Sequence, residues 1–274
     1  MTVASSTRTA GRRLTTSVGT SAHRARAPAF YLVTAAFLAF LLFALRETMT
    51  MSVTAWGAGY GFPDHRVHHV LIGGTLTVFA ATIAVQLYRP TARVGALQAA
   101  LAFVIAAFVL TVVASGPAAG ADLLVFVVPV VLIALLHPAR RQLVPSLERL
   151  DRRLLALAAL GALGFATVAV GEYVSHTTLG DGHVAMGHYE FVLVATVTVG
   201  LFALLGALRP VGWRALVYAA AAIAILLGAT SLAFPGAEQG SSLATLPALA
   251  TIVWAIGFVA LAEYVDRTDS SIES

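Results

Sequence analysis

The sequence predicts an all-α polytopic membrane protein of eight transmembrane helices, arranged as two tandem four-helix repeats in the same orientation. Three observations carry that expectation. Of 274 residues, 59% are apolar and 11% charged, and the mean hydropathy is +0.87, whereas about a quarter of a soluble domain is charged. The apolar residues fall into eight runs, each near the roughly twenty residues that cross a hydrocarbon core as helix. Two distant segments also share polar landmarks in one order.

The runs are Ala29 to Leu45, Val67 to Tyr88, Val94 to Ala114, Ala121 to Leu136, Leu154 to Tyr173, His188 to Leu208, Trp213 to Phe234, and Leu243 to Val265. Pro63, Pro90, Pro117, Pro210 and Pro235 fall between them, where a missing N–H costs least. With the amino terminus inside, the inner segments hold fifteen arginines and the outer ones only Arg46 and Arg66. The positive-inside rule then puts both termini in the cytoplasm of an integral cell membrane protein.

Residues 1–28 hold five arginines and no acid, the composition of a disordered basic tail lying against anionic lipid. Residues 29–139 form the first four-helix repeat and 154–265 the second. Between them, 140–153 is a cytoplasmic linker with Leu143, Val144, Leu147 and Leu150 at helical spacing, expected to lie on the membrane surface as an amphipathic helix. Residues 266–274 are a short cytoplasmic tail.

The repeat rests on Pro63 to Pro90 against Gly180 to Pro210. Each runs from Asp through His into a span that ends in Arg-Pro. Aligning Arg89-Pro90 with Arg209-Pro210 sets His68 opposite His188, and a two-residue gap brings Asp64-His65 toward Asp181 to His183. Glu47 and Glu172 close the preceding spans. Units with an even number of spans share an orientation, so the axis relating them runs along the membrane normal.

Composition also excludes chemistry. The chain has no cysteine, which removes disulfides and thiolate ligands. All seventeen basic residues are arginine, so no lysine is present to hold retinal or pyridoxal as a Schiff base. No Asp, Glu, His or Arg lies deep in a span, which argues against a proton or ion pathway.

Histidine is where chemistry concentrates. His65, His68, His69, His176, His183 and His188 all fall on the outer side, near Glu47, Glu172 and Glu190. His65 and His69 are four apart, as are Glu172 and His176, the helical spacing that presents two ligands to one metal. Pro63-Asp64 and Gly180-Asp181 read as helix starts, whose dipoles favour neutral imidazole, the metal-binding form. Imidazole and carboxylate without thiolate suit a divalent transition metal such as zinc, copper or iron. His23 and His137, on the inner side, are expected to be structural.

The plan of residues 29–265 resembles that of the haem A synthase family, which also pairs two four-helix bundles with histidines near outer helix starts. The resemblance implies a haem, and His68 and His188 are the residues that would hold a b-type haem across the axis. The chain departs from that family on the last helix of each bundle: His137 sits at the inner end of the fourth span and the eighth has no histidine. Its histidine-arginine signature on the second helix is not reproduced by DHRVHH either, so the activity is not carried over.

The leading expectation is thus an outward His/carboxylate metal site in a membrane metalloenzyme or redox protein. Alternatives are the haem protein, a metal or small-solute transporter, and a non-catalytic subunit whose small-residue helices dock a membrane-protein partner or a second copy. The lipid bilayer is the expected surrounding, and no nucleic-acid partner is expected.

Overall fold

The computed structural model describes residues 26–272, in which all regular structure is helical. Four of the five arginines of the expected basic tail lie outside the described residues. The principal helices are α1 (Arg26–Ala44), α2 (Arg46–Thr54), α3 (Arg66–Ala84), α4 (Val94–Ser115), α5 (Pro117–Asp122), α6 (Leu124–Leu136), α7 (Arg152–Thr178), α8 (Gly182–Ala185), α9 (His188–Ala207), α10 (Arg214–Ala233) and α11 (Thr245–Ile272). Seven are long and apolar enough to cross a membrane: α1, α3, α4, α7, α9, α10 and α11. That is compatible with a polytopic membrane protein.

Burial divides these helices into two groups. Of the most apolar window of α3, α4, α9 and α10, 50–67% is buried inside the protein, against 22–28% for α1, α7 and α11. The four central helices pack on one another, with α7 against α9 and α11 against α10. The outward faces of the flanking helices are apolar, as at Leu160, Leu163 and Val170 of α7 and Leu246 and Val253 of α11. Lipid accepts such faces without penalty, whereas water makes large apolar patches sticky.

Beyond helices that run on past their expected ends, α7 to Thr178 and α11 to Ile272 into the expected tail, the elements depart from the sequence expectation in three places. The first helix does not stop at Leu45. It bends there and continues through α2, because Leu45 N–H still bonds Leu41 C=O and Met49 N–H bonds Leu45 C=O. The expected fourth span is broken at Leu123 into α5 and the thirteen-residue α6. At 1.5 Å per residue α6 reaches only about 20 Å, short of the roughly 30 Å core.

The expected linker helix is the third departure. Only a 3₁₀ turn forms, Arg140–Leu143, and Val144 is extended. Pro145 pushes the residue before it out of the helical region and offers no N–H of its own. Val144 and Leu147 are left 72% and 73% exposed, so the apolar spacing does not build an amphipathic helix.

Two ends of the bundle can be told apart. Arg26, Arg89, Arg93, Arg140, Arg152, Arg209 and Arg214 gather at one, where helices α1, α4, α7 and α10 begin and α3, α6 and α9 finish. At this arginine end, Asp151 caps α7 by accepting from Arg153 N–H and Leu154 N–H. Arg26 closes the last turn of α6 by donating to the carbonyls of Leu136 and His137. The starts of α3 and α9, the end of α7 and the α10–α11 connection lie at the other end.

Arg89 and Arg209 both have φ of 50°, the two positive values at non-glycine residues among those described. Each precedes a proline, where the left-handed region is sparsely used. Just beyond them the two connections touch: Gly95 N–H donates to Val211 C=O at 2.8 Å, and a Cβ on Gly212, which has φ of 76°, would stand 2.7 Å from Ala92 C=O. Only glycine fits there.

Candidate metal centre

Five histidines converge at the end opposite the arginines. Pro63–His65 form a 3₁₀ turn that presents His65 and leads into α3, whose first turn carries His68 and His69. His188 opens α9. His183 arrives on α8, a single turn fixed by Asp181, whose carboxylate accepts from Val184 N–H at 3.0 Å and from the Tyr189 hydroxyl at 2.8 Å. Chiefly the Val184 N–H holds Asp181 below the usual carboxylate range.

The α10–α11 connection covers the group. Gln239 pins it to the start of α3, accepting from Val67 N–H and donating to Pro63 C=O at 2.8 Å. Gly240 follows with φ of 74°, and a Cβ there would lie 3.0 Å from His68 Cε1 and 3.1 Å from His183 Cδ2. The positive φ favours glycine, and any Cβ would need the two imidazoles to give by a few tenths of an ångström.

His65, His183 and His188 each offer a ring nitrogen, and the three nitrogens lie within 4.8 Å of one another. His183 Nδ1 stands 3.1 Å from His65 Nδ1 and 3.2 Å from His188 Nδ1. Its other nitrogen, Nε2, is 3.0 Å from the Glu238 carbonyl. A carbonyl only accepts, so Nε2 carries the proton and neutral His183 turns a bare Nδ1 lone pair toward both neighbours. One lone pair makes one full-strength hydrogen bond, yet two nitrogens approach it. A shared cation resolves the conflict: nitrogens bound at about 2.0–2.1 Å in a tetrahedron are about 3.3 Å apart. This group can therefore bind a metal ion.

His68 does a different job. Its ring stacks on His188 with centroids 4.5 Å apart and planes at 18°, while its Nε2 is 2.8 Å from Ser241 Oγ. Ser241 donates its single proton to Glu172 Oε2 at 2.6 Å, so it accepts from His68 Nε2–H. The chain Glu172–Ser241–His68 is buried throughout and leaves His68 Nδ1 an unpaired buried acceptor. His69 Nδ1 accepts from the Tyr60 hydroxyl. Burial raises Tyr60 above the ordinary phenol value, with Arg66 opposing, which keeps that hydroxyl protonated.

The remaining expected ligands stand elsewhere. Glu190 accepts from Thr111 at 2.5 Å and from Ser115, and His176 Nε2 reaches Ser115 Oγ at 2.9 Å. They form a second polar group between α4, α7 and α9. Thus Glu172 and His176, four apart on α7, are drawn to different partners. Glu47 has 88% of its side chain exposed, beside Arg46 at 3.5 Å, and is not part of either group.

The haem expectation meets a geometric obstacle. Axial ligands must approach iron from opposite faces of a flat macrocycle, nitrogen foremost, but the rings of His68 and His188 lie face to face in direct contact. Gln239, Gly240 and Ser241 belong to the centre without any sequence expectation pointing to them, and so does Tyr60, which sequence alone reads as an interfacial belt aromatic. Of the first three only the Gly-Ser-Ser run had a local signal, and it reads as a loop.

No protein-family model matches the chain, and no curated protein or solved structure matches it either.

Proposed function

We propose that this chain is an integral membrane protein holding one divalent transition metal through His65, His183 and His188. The observation that carries the reading is His183 Nδ1, whose lone pair is aimed at two imidazole nitrogens at once, 3.1 and 3.2 Å away. The Glu238 carbonyl orients that ring from behind, as carbonyls and carboxylates commonly do for ligating histidines. Three imidazoles leave a fourth tetrahedral position to a small exogenous ligand, the composition of a working metal site more than of a closed structural one. The buried Glu172–Ser241–His68 chain ends on the ring stacked against His188 and would carry protons to and from that side.

Around this centre we infer eight crossings, with α5 and α6 together making the fourth, and two repeats about an axis normal to the membrane. Three pairs of equivalent residues support the axis. His65 meets His183, His68 stacks on His188, and Gly212 packs on Ala92. The shared φ of 50° at Arg89 and Arg209 supports the same alignment. The excess of arginine at one end supports placing that end in the cytoplasm and the metal centre on the outer face.

The test is cobalt titration of the purified chain, carrying no histidine tag. Tetrahedral cobalt(II) absorbs visibly, and its bands should saturate near one equivalent. They should be lost in His183→Ala and kept in His176→Ala. Absence of any such bands in the folded wild type contradicts the proposal.

A further inference from the structure

A cavity of about 340 Å³ lies at the arginine end, between the ends of α4 and α9 and the connection that follows α6. Arg141, Arg149 and Arg209 line it, together with Ser146 and Gln98. Glu148 is its one acidic wall. Arg209 bonds Asp266 on α11 at 2.9 Å. Arg141 and Arg149 are exposed and have no side-chain hydrogen bond or ion pair among the described residues, so their guanidinium donors are available to an anion.

Gln98 adds a second requirement. It is 4% exposed, and its Nε2 donates to Leu143 C=O at 3.1 Å. Because a carbonyl only accepts, the amide cannot be turned the other way, and Oε1 is left buried with no partner. An unpaired buried acceptor is costly. The cavity therefore carries guanidinium donors for an anion and, on the lining residue Gln98, a buried amide oxygen in want of a hydrogen-bond donor.

We propose that this cavity binds a polyol phosphate, with Arg141 and Arg149 on the phosphate oxygens and Gln98 Oε1 accepting from a hydroxyl of the polyol. Guanidinium matches phosphate in geometry and charge, and basic pockets between membrane helices on the cytoplasmic side hold anionic headgroups. The same chemistry is carried by a glyceryl phospholipid headgroup and by a free glycerol phosphate. The site is distinct from the imidazole group and does not depend on a metal being held there.

The experiment places the full chain in phosphatidylcholine nanodiscs doped with either phosphatidylglycerol or phosphatidylmethanol, which has the same phosphodiester charge and no hydroxyl. Native mass spectrometry counts retained lipid. Wild type should retain phosphatidylglycerol in preference to phosphatidylmethanol. The double variant Arg141→Gln/Arg149→Gln, changed only at exposed positions, should retain both about tenfold more weakly. Gln98→Leu should erase the preference.

In undoped nanodiscs, titrated glycerol 3-phosphate separates the two sources. Binding as strong as that of the lipid assigns the cavity to a soluble ligand, and weaker or no binding assigns it to the headgroup. Equal retention of the two lipids by wild type, without glycerol phosphate binding, overturns the proposal. So does retention that the arginine substitutions leave unchanged.

Discussion

His65 and His183 face each other nitrogen to nitrogen, Nδ1 to Nδ1 at 3.1 Å, across 118 residues of chain. His183 can offer that contact only a lone pair, because the Glu238 carbonyl takes its one neutral-state proton. His188 makes the same approach to the same atom. The arrangement is better satisfied by a shared cation than by hydrogen bonds.

His183 is the residue both others approach, so His183→Ala should lower metal affinity more than loss of any other single imidazole, by about a hundredfold or more. His176→Ala should leave affinity within a few fold, since His176 sits with Ser115 and Glu190. Competition against a metal-indicator dye measures both. Equal losses in the two variants would remove the distinction between the groups.

Gly240→Ala should weaken metal binding while leaving the helices intact. The substitution meets a left-handed dihedral, costing about 1–2 kcal/mol, and a Cβ that would press on His68 and His183. The connection must lift, carrying Ser241 and Gln239 with it. Circular dichroism should be unchanged and the dye competition shifted. Wild-type affinity in the variant would mean that the connection does not brace the imidazoles.

Ser241→Ala should destabilise the fold by about 1–3 kcal/mol, because it leaves both His68 Nε2–H and a Glu172 oxygen buried without partners. Ser241→Thr keeps the hydroxyl and should recover much of that loss. Thermal unfolding in detergent ranks the two. If alanine and threonine variants behave alike, the hydroxyl is not the linking element.

His137 gives the fold an acid sensitivity independent of the metal centre. Its Nε2–H donates to Pro90 C=O at 3.2 Å and its Nδ1 accepts from Ala139 N–H at 3.1 Å, so the neutral ring is fully used. Burial holds its pKa below the ordinary value of 6.5, against the bond donated to the Pro90 carbonyl. The unfolded chain therefore binds the proton more readily. Stability is full above about pH 6.5 and falls as pH drops from there toward the lowered folded value, then levels off. Midpoints of unfolding across pH 4–8, compared with His137→Gln, should show a shallower acid slope in the variant. Identical slopes would assign the acid sensitivity elsewhere.

Spans were legible because twenty-residue apolar runs with proline between them leave little choice of structure in lipid. Bends were not: nothing in the sequence around Leu45 marks a helix that persists for two more turns, and the break at Leu123 has no proline of its own. Pro145, by contrast, stood in plain view, and its constraint on Val144 outweighed the apolar spacing that suggested a surface helix. For the site, the repeated Asp-His segments pointed to His65, His68, His183 and His188. Glu47, Glu172 and Glu190 were grouped with them only by proximity to helix ends, which says nothing about direction around the helix. Ser241 comes from a connection 173 residues along the chain from His68, with Gly240 beside it, a pairing no local pattern encodes.

Metal content is the most direct test of the central claim. The full chain, purified without a histidine tag and washed free of loosely bound ions, should retain about one transition-metal ion per chain, and the combined His65→Ala/His183→Ala/His188→Ala variant should retain none while keeping its helical spectrum. Wild type that holds no metal, and whose unfolding midpoint is unmoved by added zinc or copper, would contradict the account.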